Sequence, residues 1–565
     1  MSNFWPPHHL GGYELRSREV VSGLRTAGYE VRVLTGRYRA QGATGAVCAT
    51  GGLPASDSTG ETPVPQFSSR ADPWVTRSLH LRWGPPYPPE DLPGMLRCEA
   101  ADRRTLRSVL TEFRPDVVDV WGMEFASQAS VSELIATGLP VHVTVEDTWL
   151  LDGFARDPLC IVTETARRLD VPMTPGLRRL CCLGHARPGL GDAAVCFVSQ
   201  ALRDRHREAG FDYARCRVRV AGLEMSAFRE ATSPPPPPPF VIASVGQLTA
   251  SRGQADLIAA AARVAGKPDC PWPIVVRIIG GGGTAYVTEL KALACESASD
   301  QFRVEFLGLR KPDRAAEFYA GAHLFVFTSR LPEGLPRVLM EAMAAGVPII
   351  ATDTGGQCDI LDGGRWGKLV PPGDQAALVG AIREAMAGLP RWQSRAVEAR
   401  RHALDAFDME AYTAAHARDL SEVANRSRPP TPEVTIDADL PEQGEIDCFS
   451  SALGDAVEVD AGAFDVAGDP EGAWQLGVVL KRAGRLPAAD RLFAELLRVA
   501  PDDATHVRRA TFHLAELAMI REAWSQAIGL LERCLAAAPD HTKAAFDLQQ
   551  ACQRRLPDHL SGLAG

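Results

Sequence analysis

At 565 residues the chain is too long for one ordinary domain, and three or four are expected. With 45% hydrophobic and 23% charged residues it has a globular composition, and no run of about 18 uncharged apolar residues is available to span a membrane. The formal net charge of −10 gathers between Pro429 and Gly472, where twelve acidic and no basic residues occur; the rest of the chain carries +2, so no basic field argues for nucleic acid. The start, MSNFWPPHHLGGYE, lacks the basic-then-apolar pattern of a secretory leader. Thirteen cysteines, odd in number and without framework spacing, fit reduced thiols in cytoplasm better than disulfides.

In chain order, Gly11-Gly12 precedes a helical pattern (Leu15, Val20, Val21, Leu24) and a strand over Glu30 to Thr35, the first helix and second strand of an open α/β unit. Taken alone, the glycine pair reads as an ordinary turn. Residues 40 to 95, rich in Gly, Pro, Ser and Thr, are expected to form a long loop excursion. Asp116 to Val120 and Val141 to Val145 read as buried parallel strands, the second running into Glu146-Asp147-Thr148-Trp149. Residues 152 to 190 look irregular, as a lid or acceptor loop; Cys160, Cys181, Cys182 and His185 lie there but match no common zinc spacing. Another strand covers Ala194 to Ser199. Six prolines, Pro234 to Pro239, then make a stiff spacer at about 3.1 Å per residue, read as a hinge rather than a partner-binding motif.

A second α/β unit opens with a strand over Phe240 to Gly246, followed by Gly246-Gln247-Leu248 through Arg252-Gly253. A cation at such a helix start is disfavoured by the dipole unless an anion sits there. Ile274 to Ile279 with Gly280 to Gly283 is a strand and glycine turn without a full G-x-G-x-x-G fingerprint. From Phe325 to Gly356 the chain reads strand, loop, helix, strand, turn. Pro336 stands where a helix can begin, Val338, Leu339, Ala342, Met343 and Ala345 keep helical spacing, and Gly346 with Pro348 ends it. Glu333 lies in the loop and Glu341 in the helix. A helix start suits an anion, whereas carboxylates beside it suit the hydroxyls of sugar and ribose. Phosphate flanked by hydroxyls describes a nucleotide-sugar.

Beyond Gly373-Asp374 a helix over Gln375 to Gly388 closes the sheet, and residues 392 to 424 are helical. The acidic stretch with Pro429, Pro430, Pro432 and Pro441 is expected to be a disordered tether; its Asp437-Ala438-Asp439 is given no metal role. Last comes an internal repeat: Ala473, Leu476, Gly477, Leu480, Gly484, Leu486, Ala489, Phe493 and Pro501, then Leu514, Ala515, Ala518, Trp524, Ala527, Leu531 and Pro539, with a closing helix over 541 to 556.

The spacing of Glu333 and Glu341 and the run EAMAAGVPIIATDTGG resemble the E-x7-E signature of retaining family 4 glycosyltransferases, over roughly residues 1 to 420. The repeats resemble tetratricopeptide repeats. The resemblance implies an α/β GT-B fold, two facing Rossmann-like domains with parallel sheets, plus a C-terminal α-helical repeat domain. Its expected boundaries are 1–232 for the N-terminal acceptor domain, 233–239 for the hinge and 240–390 for the donor nucleotide-sugar domain. Helices over 391–424 return to the first domain, with Phe407 to Tyr412 resembling the crossing helix; 425–471 is the acidic linker and 472–556 the repeats.

The same resemblance implies the site. Glu333 would hold a hydroxyl of the transferred sugar and Glu341 the ribose. Arg252, Gln247, the amides of Gly11 and Gly12 and the helix approach at Gly334 and Leu335 would meet the diphosphate, and the backbone around Leu309 would meet the base. Glu146 takes the place of a histidine that usually reaches the transferred sugar, Gln247 is the uncharged form of a usual arginine, and Arg252 replaces lysine. The family also has a full strand before the glycine pair, where only Met1 to Trp5 precede Pro6-Pro7; a start assigned too late or a truncated chain would explain it. The implied activity is transfer of a sugar from a nucleoside-diphosphate donor to a hydroxyl acceptor with retained configuration. No cofactor or metal is implied. The acceptor (lipid-linked glycan, polysaccharide or protein), a peripheral membrane contact at the inner face, and a protein partner or self-association through the repeats stay open. A weakened GT-B scaffold acting through its repeats is the rival reading. Sugar phosphorylase is a lesser one, with no cofactor-binding lysine motif.

Overall fold

The structure is a computed structural model. It describes residues 1, 12–36, 74–80, 90–123, 126–127, 129–151, 157–180, 190–211, 213–229, 236–310, 315–426, 440–501, 503–538 and 541–563. Gly11, Cys181, Cys182, His185, Pro234, Pro235, the Asp437–Asp439 pair and Pro539 therefore lie outside the described residues.

The first α/β domain holds β1 (Val33–Gly36) and β2 (Val75–Leu79), paired in parallel. It also holds a four-stranded parallel sheet of β3 (Val118–Val120), β4 (Val141–Val145), β5 (Ala194–Phe197) and β6 (Cys216–Val218) in sequential order. Every residue of β4 and β5 is buried, the signature of parallel strands covered by helices on both faces. Among the described residues the two sheets share no strand hydrogen bonds; beside β3 stands Met1, whose amino group donates to the Asp119 carbonyl (2.6 Å) and whose carbonyl accepts from the Trp121 N–H (2.8 Å).

The second domain is a six-stranded parallel sheet in the order β12-β11-β10-β7-β8-β9. Its strands are β7 (Phe240–Val245), β8 (Ile274–Ile279), β9 (Phe302–Gly308), β10 (Leu324–Phe327), β11 (Ile349–Thr352) and β12 (Lys368–Val370). The order turns back at β7/β10, so the ends of these strands open a crevice there, where ligands of such sheets bind.

The helices expected over 391–424 are Leu389–Ala406 and Met409–Asn425; Asp408 separates them and caps the second through the Ala411 N–H (2.7 Å). The second packs against helix Gly12–Thr26 and β4 of the first domain. Its His416 Nε2 and the His142 Nδ1 of β4 each lie 2.8 Å from a different oxygen of Asp119, and the Trp121 indole donates to the same carboxylate (2.6 Å). Burial raises that carboxyl, but His416 and His142 more than offset it and hold Asp119 well below the usual range.

Three expectations are corrected. The acidic stretch is not a tether throughout: Gln443–Ala461 is a helix, opened by a capping box between Glu442 and Glu445. Ile446, Phe449, Leu453 and Val457 form its buried stripe, packed on helices Leu92–Phe113 and Pro470–Arg482, while its charges face outward. Within the expected 40–95 loop stand β2 and the start of helix Leu92–Phe113, capped by Asp91. Within 152–190, helix Pro158–Arg168 starts on Asp157 with proline in its first turn.

The C-terminal part is all helix: Pro470–Arg482 pairs with Leu486–Val499, Ala504–Ile520 with Trp524–Ala537, and Thr542–Cys552 closes the stack. Gly477 lets the first pair close up, since a Cβ there would lie 2.6 Å from the Phe493 ring. One hydrophobic core runs from the first domain through Leu453 into Leu480 and Phe493.

Candidate functional site

The crevice is built from glycines. Beyond β7, the Gly246–Leu248 turn lies against the Gly280–Gly282 turn, joined by the Leu248 N–H to the Gly281 carbonyl (2.8 Å). A Cβ on Gly280 would lie 1.8 Å from the Gly246 carbonyl oxygen, and one on Gly282 2.1 Å from that of Leu248, so side chains are shut out of the floor. Gly253, at φ +69°, then opens helix Gln254–Ala265 with no side-chain cap. The second helix start, at Pro336 before Arg337–Ala344, is also uncapped by side chains. Uncapped starts leave amide donors for an anion.

The loop Thr328–Gly334 is stitched onto this floor. The Thr328 hydroxyl donates to the Arg252 carbonyl (3.1 Å), the Arg330 N–H to the Ser251 carbonyl (2.8 Å), and the Arg330 fork to Asp256 (2.9 and 2.8 Å). That places Arg252 and Glu333 in an ion pair, with the Ser329 hydroxyl donating to Glu333 Oε1 (2.8 Å). Burial pushes the Arg252 guanidinium down to about 10, still cationic at neutral pH. Gly355 and Gly356 press on the loop from behind, the Gly356 N–H donating to the Glu333 carbonyl (2.8 Å).

Across the crevice, the Glu146 carbonyl oxygen would lie 1.7 Å from a Cβ on Gly334, so the two domains touch backbone to backbone here. The Glu146 side chain is buried and ion-paired to Arg16 of helix Gly12–Thr26, whose Nε donates to the Gly222 carbonyl (3.3 Å). Burial lifts the Glu146 carboxyl above its ordinary value despite Arg16. Glu146 is thus brought to the crevice by its main chain, with one carboxylate oxygen held by Arg16 and the other buried without a hydrogen-bond partner among the described residues.

Glu341 stands apart from the Arg252–Glu333 pair. It is 7% exposed, accepts from the Tyr319 hydroxyl (3.0 Å) and from Arg337 Nε (3.1 Å), and burial lifts its carboxyl against the pull of Arg337. Leu335 is buried, Leu309 is exposed on the rim beyond β9, and the Gln247 carbonyl accepts from Gln254 Nε2 (2.8 Å). Gly12 is the first residue of its helix. Arg16, Glu19, Tyr319 and Arg337 are polar members of these surroundings that sequence reasoning missed. Only the i,i+4 spacing of Arg337 and Glu341 was there to find, and it commonly marks a mere surface pair.

Residues 239–387 match the family model described as Glycosyl transferases group 1. The second domain is thus similar to group 1 glycosyltransferase domains. The D-inositol 3-phosphate glycosyltransferase of Corynebacterium jeikeium is 30% identical over 227 residues, 37% of this chain and 52% of its own length. That of Rhodococcus erythropolis is 29% identical over 223 residues, 38% of this chain and 50% of its own. The chain spans about half the length of these curated relatives. Among solved structures, sucrose-phosphate synthase from Thermosynechococcus elongatus superposes with a TM-score of 0.50 at 18% identity, covering 74% of this chain and 94% of that one. The two parallel-sheet domains flanking the crevice therefore make a GT-B fold, with a helical C-terminal region. No helix among the described residues is long and apolar enough to cross a membrane.

Proposed function

We propose that the chain transfers a sugar from a nucleoside diphosphate to a hydroxyl acceptor, retaining the anomeric configuration. One observation carries this reading: Arg252 and Glu333 meet over a floor that glycines keep clear, beside two uncapped helix starts. The leaving diphosphate gains negative charge as the sugar becomes cation-like. A guanidinium has five donors, and one carboxylate can take at most two of them in a fork, so Arg252 can keep Glu333 and still meet phosphate oxygens. Amides at the helix starts add fixed positive dipoles where that charge develops. Glu333, aligned by Ser329 and Arg252, would accept from a sugar hydroxyl and position the ring; the diphosphate itself would take the acceptor proton. Gln247, Gly334 and Leu335 are assigned to the diphosphate, Leu309 to the base, and Glu341 to the ribose. Relatives named D-inositol 3-phosphate glycosyltransferase support a polar hydroxyl acceptor.

The test is turnover of a panel of nucleotide-sugars, followed by release of nucleoside diphosphate. Glu333→Ala should lower turnover by about 10²-fold or more, as for loss of a positioning group, with the melting temperature nearly kept. A fully active variant would refute the role of Glu333, and no donor-dependent turnover or thermal shift with any nucleotide-sugar would refute the enzyme reading. The commitment of Glu146 to Arg16 favours the second reading, a weakened scaffold. It predicts nucleotide binding without turnover.

A further inference from the structure

Arg337 opens helix Arg337–Ala344 and faces two carboxylates at once. Its Nη1 and Nη2 donate to the two oxygens of Glu19 (3.0 Å each), on helix Gly12–Thr26 of the first domain. Its Nε donates to Glu341 (3.1 Å) of the second. The bidentate fork crosses the gap between the domains, and the third N–H fixes the carboxylate that the proposed function assigns to the donor ribose. Tyr319 holds the other oxygen of Glu341 from behind (3.0 Å). The Arg337 and Glu341 side chains are 14% and 9% exposed, so neither charge is well screened by water.

We propose that Arg337 is a positioning residue that couples ribose recognition to domain closure, holding Glu341 as a hydrogen-bond acceptor for the donor ribose while its fork clasps Glu19 across the crevice. The ribose half of this rests on the donor reading given above; the clasp half does not. Burial alone would favour a protonated, poorly accepting Glu341, and the adjoining guanidinium opposes that. Glu19 in turn balances the charge of Arg337 through its fork, while its own negative charge adds to the upward push on Glu341 that Arg337 opposes. Opening the domains would strip Glu19 from Arg337 and loosen the group that orients Glu341. Binding a ribonucleotide would, by reciprocity, favour the closed state.

Two measurements on the full chain test this. The first compares affinities for UDP, GDP and ADP with those for their 2′-deoxy forms in the unaltered protein and in Arg337→Gln. The unaltered protein should favour the ribose form of its best ligand about tenfold or more, because a charged hydrogen bond is lost with the hydroxyl. In Arg337→Gln that ratio should shrink to about twofold, a change that general loosening would not produce. An unchanged ratio would overturn the ribose half. The second measures the radius of gyration by small-angle scattering without nucleotide: Glu19→Gln and Arg337→Gln should both expand the molecule. Unchanged scattering in both would overturn the clasp. If the unaltered protein binds none of the nucleotides, the donor reading and the ribose half fail together, and scattering still decides the clasp.

Discussion

At the scale of single residues, the pairing of Arg16 with Glu146 governs the wall opposite Glu333. Both side chains are nearly inaccessible to water, so removing one partner strands the other charge. Arg16→Met should cost about 3–5 kcal/mol at neutral pH. The sign of its pH dependence follows from the raised Glu146 carboxyl. A carboxyl raised by folding favours the native state below its unfolded value and penalises it as pH climbs through the folded value. The deficit of Arg16→Met should therefore be larger at pH 8 than at pH 5, as denaturant melts at the two values would show.

The same scale shows what the sequence revealed of the site. Glu333, Arg252 and Gly334 were legible through the resemblance to a family motif, whose residues are close in sequence within each motif, and the structure brings them to one crevice. Arg16, Glu19 and Arg337 were not. Arg16 lies 130 residues from Glu146, and Arg337 lies 318 from Glu19, so no local pattern marks either pair.

Among elements, helix Gln443–Ala461 is the clearest lesson. Counting acids made it a tether, because high charge and prolines usually leave too little apolar surface to offset the entropy of ordering. The stripe of Ile446, Phe449, Leu453 and Val457 has the i, i+3, i+7, i+11 spacing of a buried helix face, and that periodicity outweighs bulk charge. Leu453 is fully buried in the continuous core. Leu453→Ala should cost about 2–5 kcal/mol, through lost transfer energy and the cavity left behind. Amide exchange should slow across 443–461 in the unaltered protein and quicken in the variant. Exchange as fast as in a free peptide would contradict the helix.

For the whole molecule, the repeats are fastened to the first domain by Glu90. Its carboxylate meets Arg482 (2.9 Å), Lys543 (2.6 Å) and Lys481 (3.4 Å), and both lysines also hold the buried Glu516 (2.7 and 2.9 Å). The Glu90 N–H donates to the His559 carbonyl (2.8 Å), tying main chain to main chain. Three cations of the helical stack are thus taken up by an acid of the first domain. Burial alone would raise Glu90 and Glu516, but the cations hold both well below the ordinary carboxylate range. Such groups stabilise the fold above their unfolded values and lose that contribution as pH falls through the folded ones. Docking of the repeats should weaken as pH falls below about 6.5, where His513 and His559, pushed down by burial to about 4 and about 3, begin to favour the unfolded chain. It should weaken further below about pH 4 as Glu90 and Glu516 lose their advantage, opposite in sign to the Glu146 effect. At neutral pH, Glu90→Gln should cost about 3–5 kcal/mol and split calorimetric unfolding into two transitions, the repeats melting first. A single unshifted transition would show that the hub does not hold them.

By itself the sequence determined the two parallel-sheet units and the C-terminal helices, since each is written in periodicity and turn chemistry within a few dozen residues, while Arg252 and Glu333 stood out through a family resemblance. Tertiary structure alone decided that Glu146 answers to Arg16, that Arg337 spans the domains, and that the repeats close on Glu90. Those are pairings of buried charges between distant segments. Which cation meets which carboxylate depends on how the domains pack, and local sequence carries no record of it.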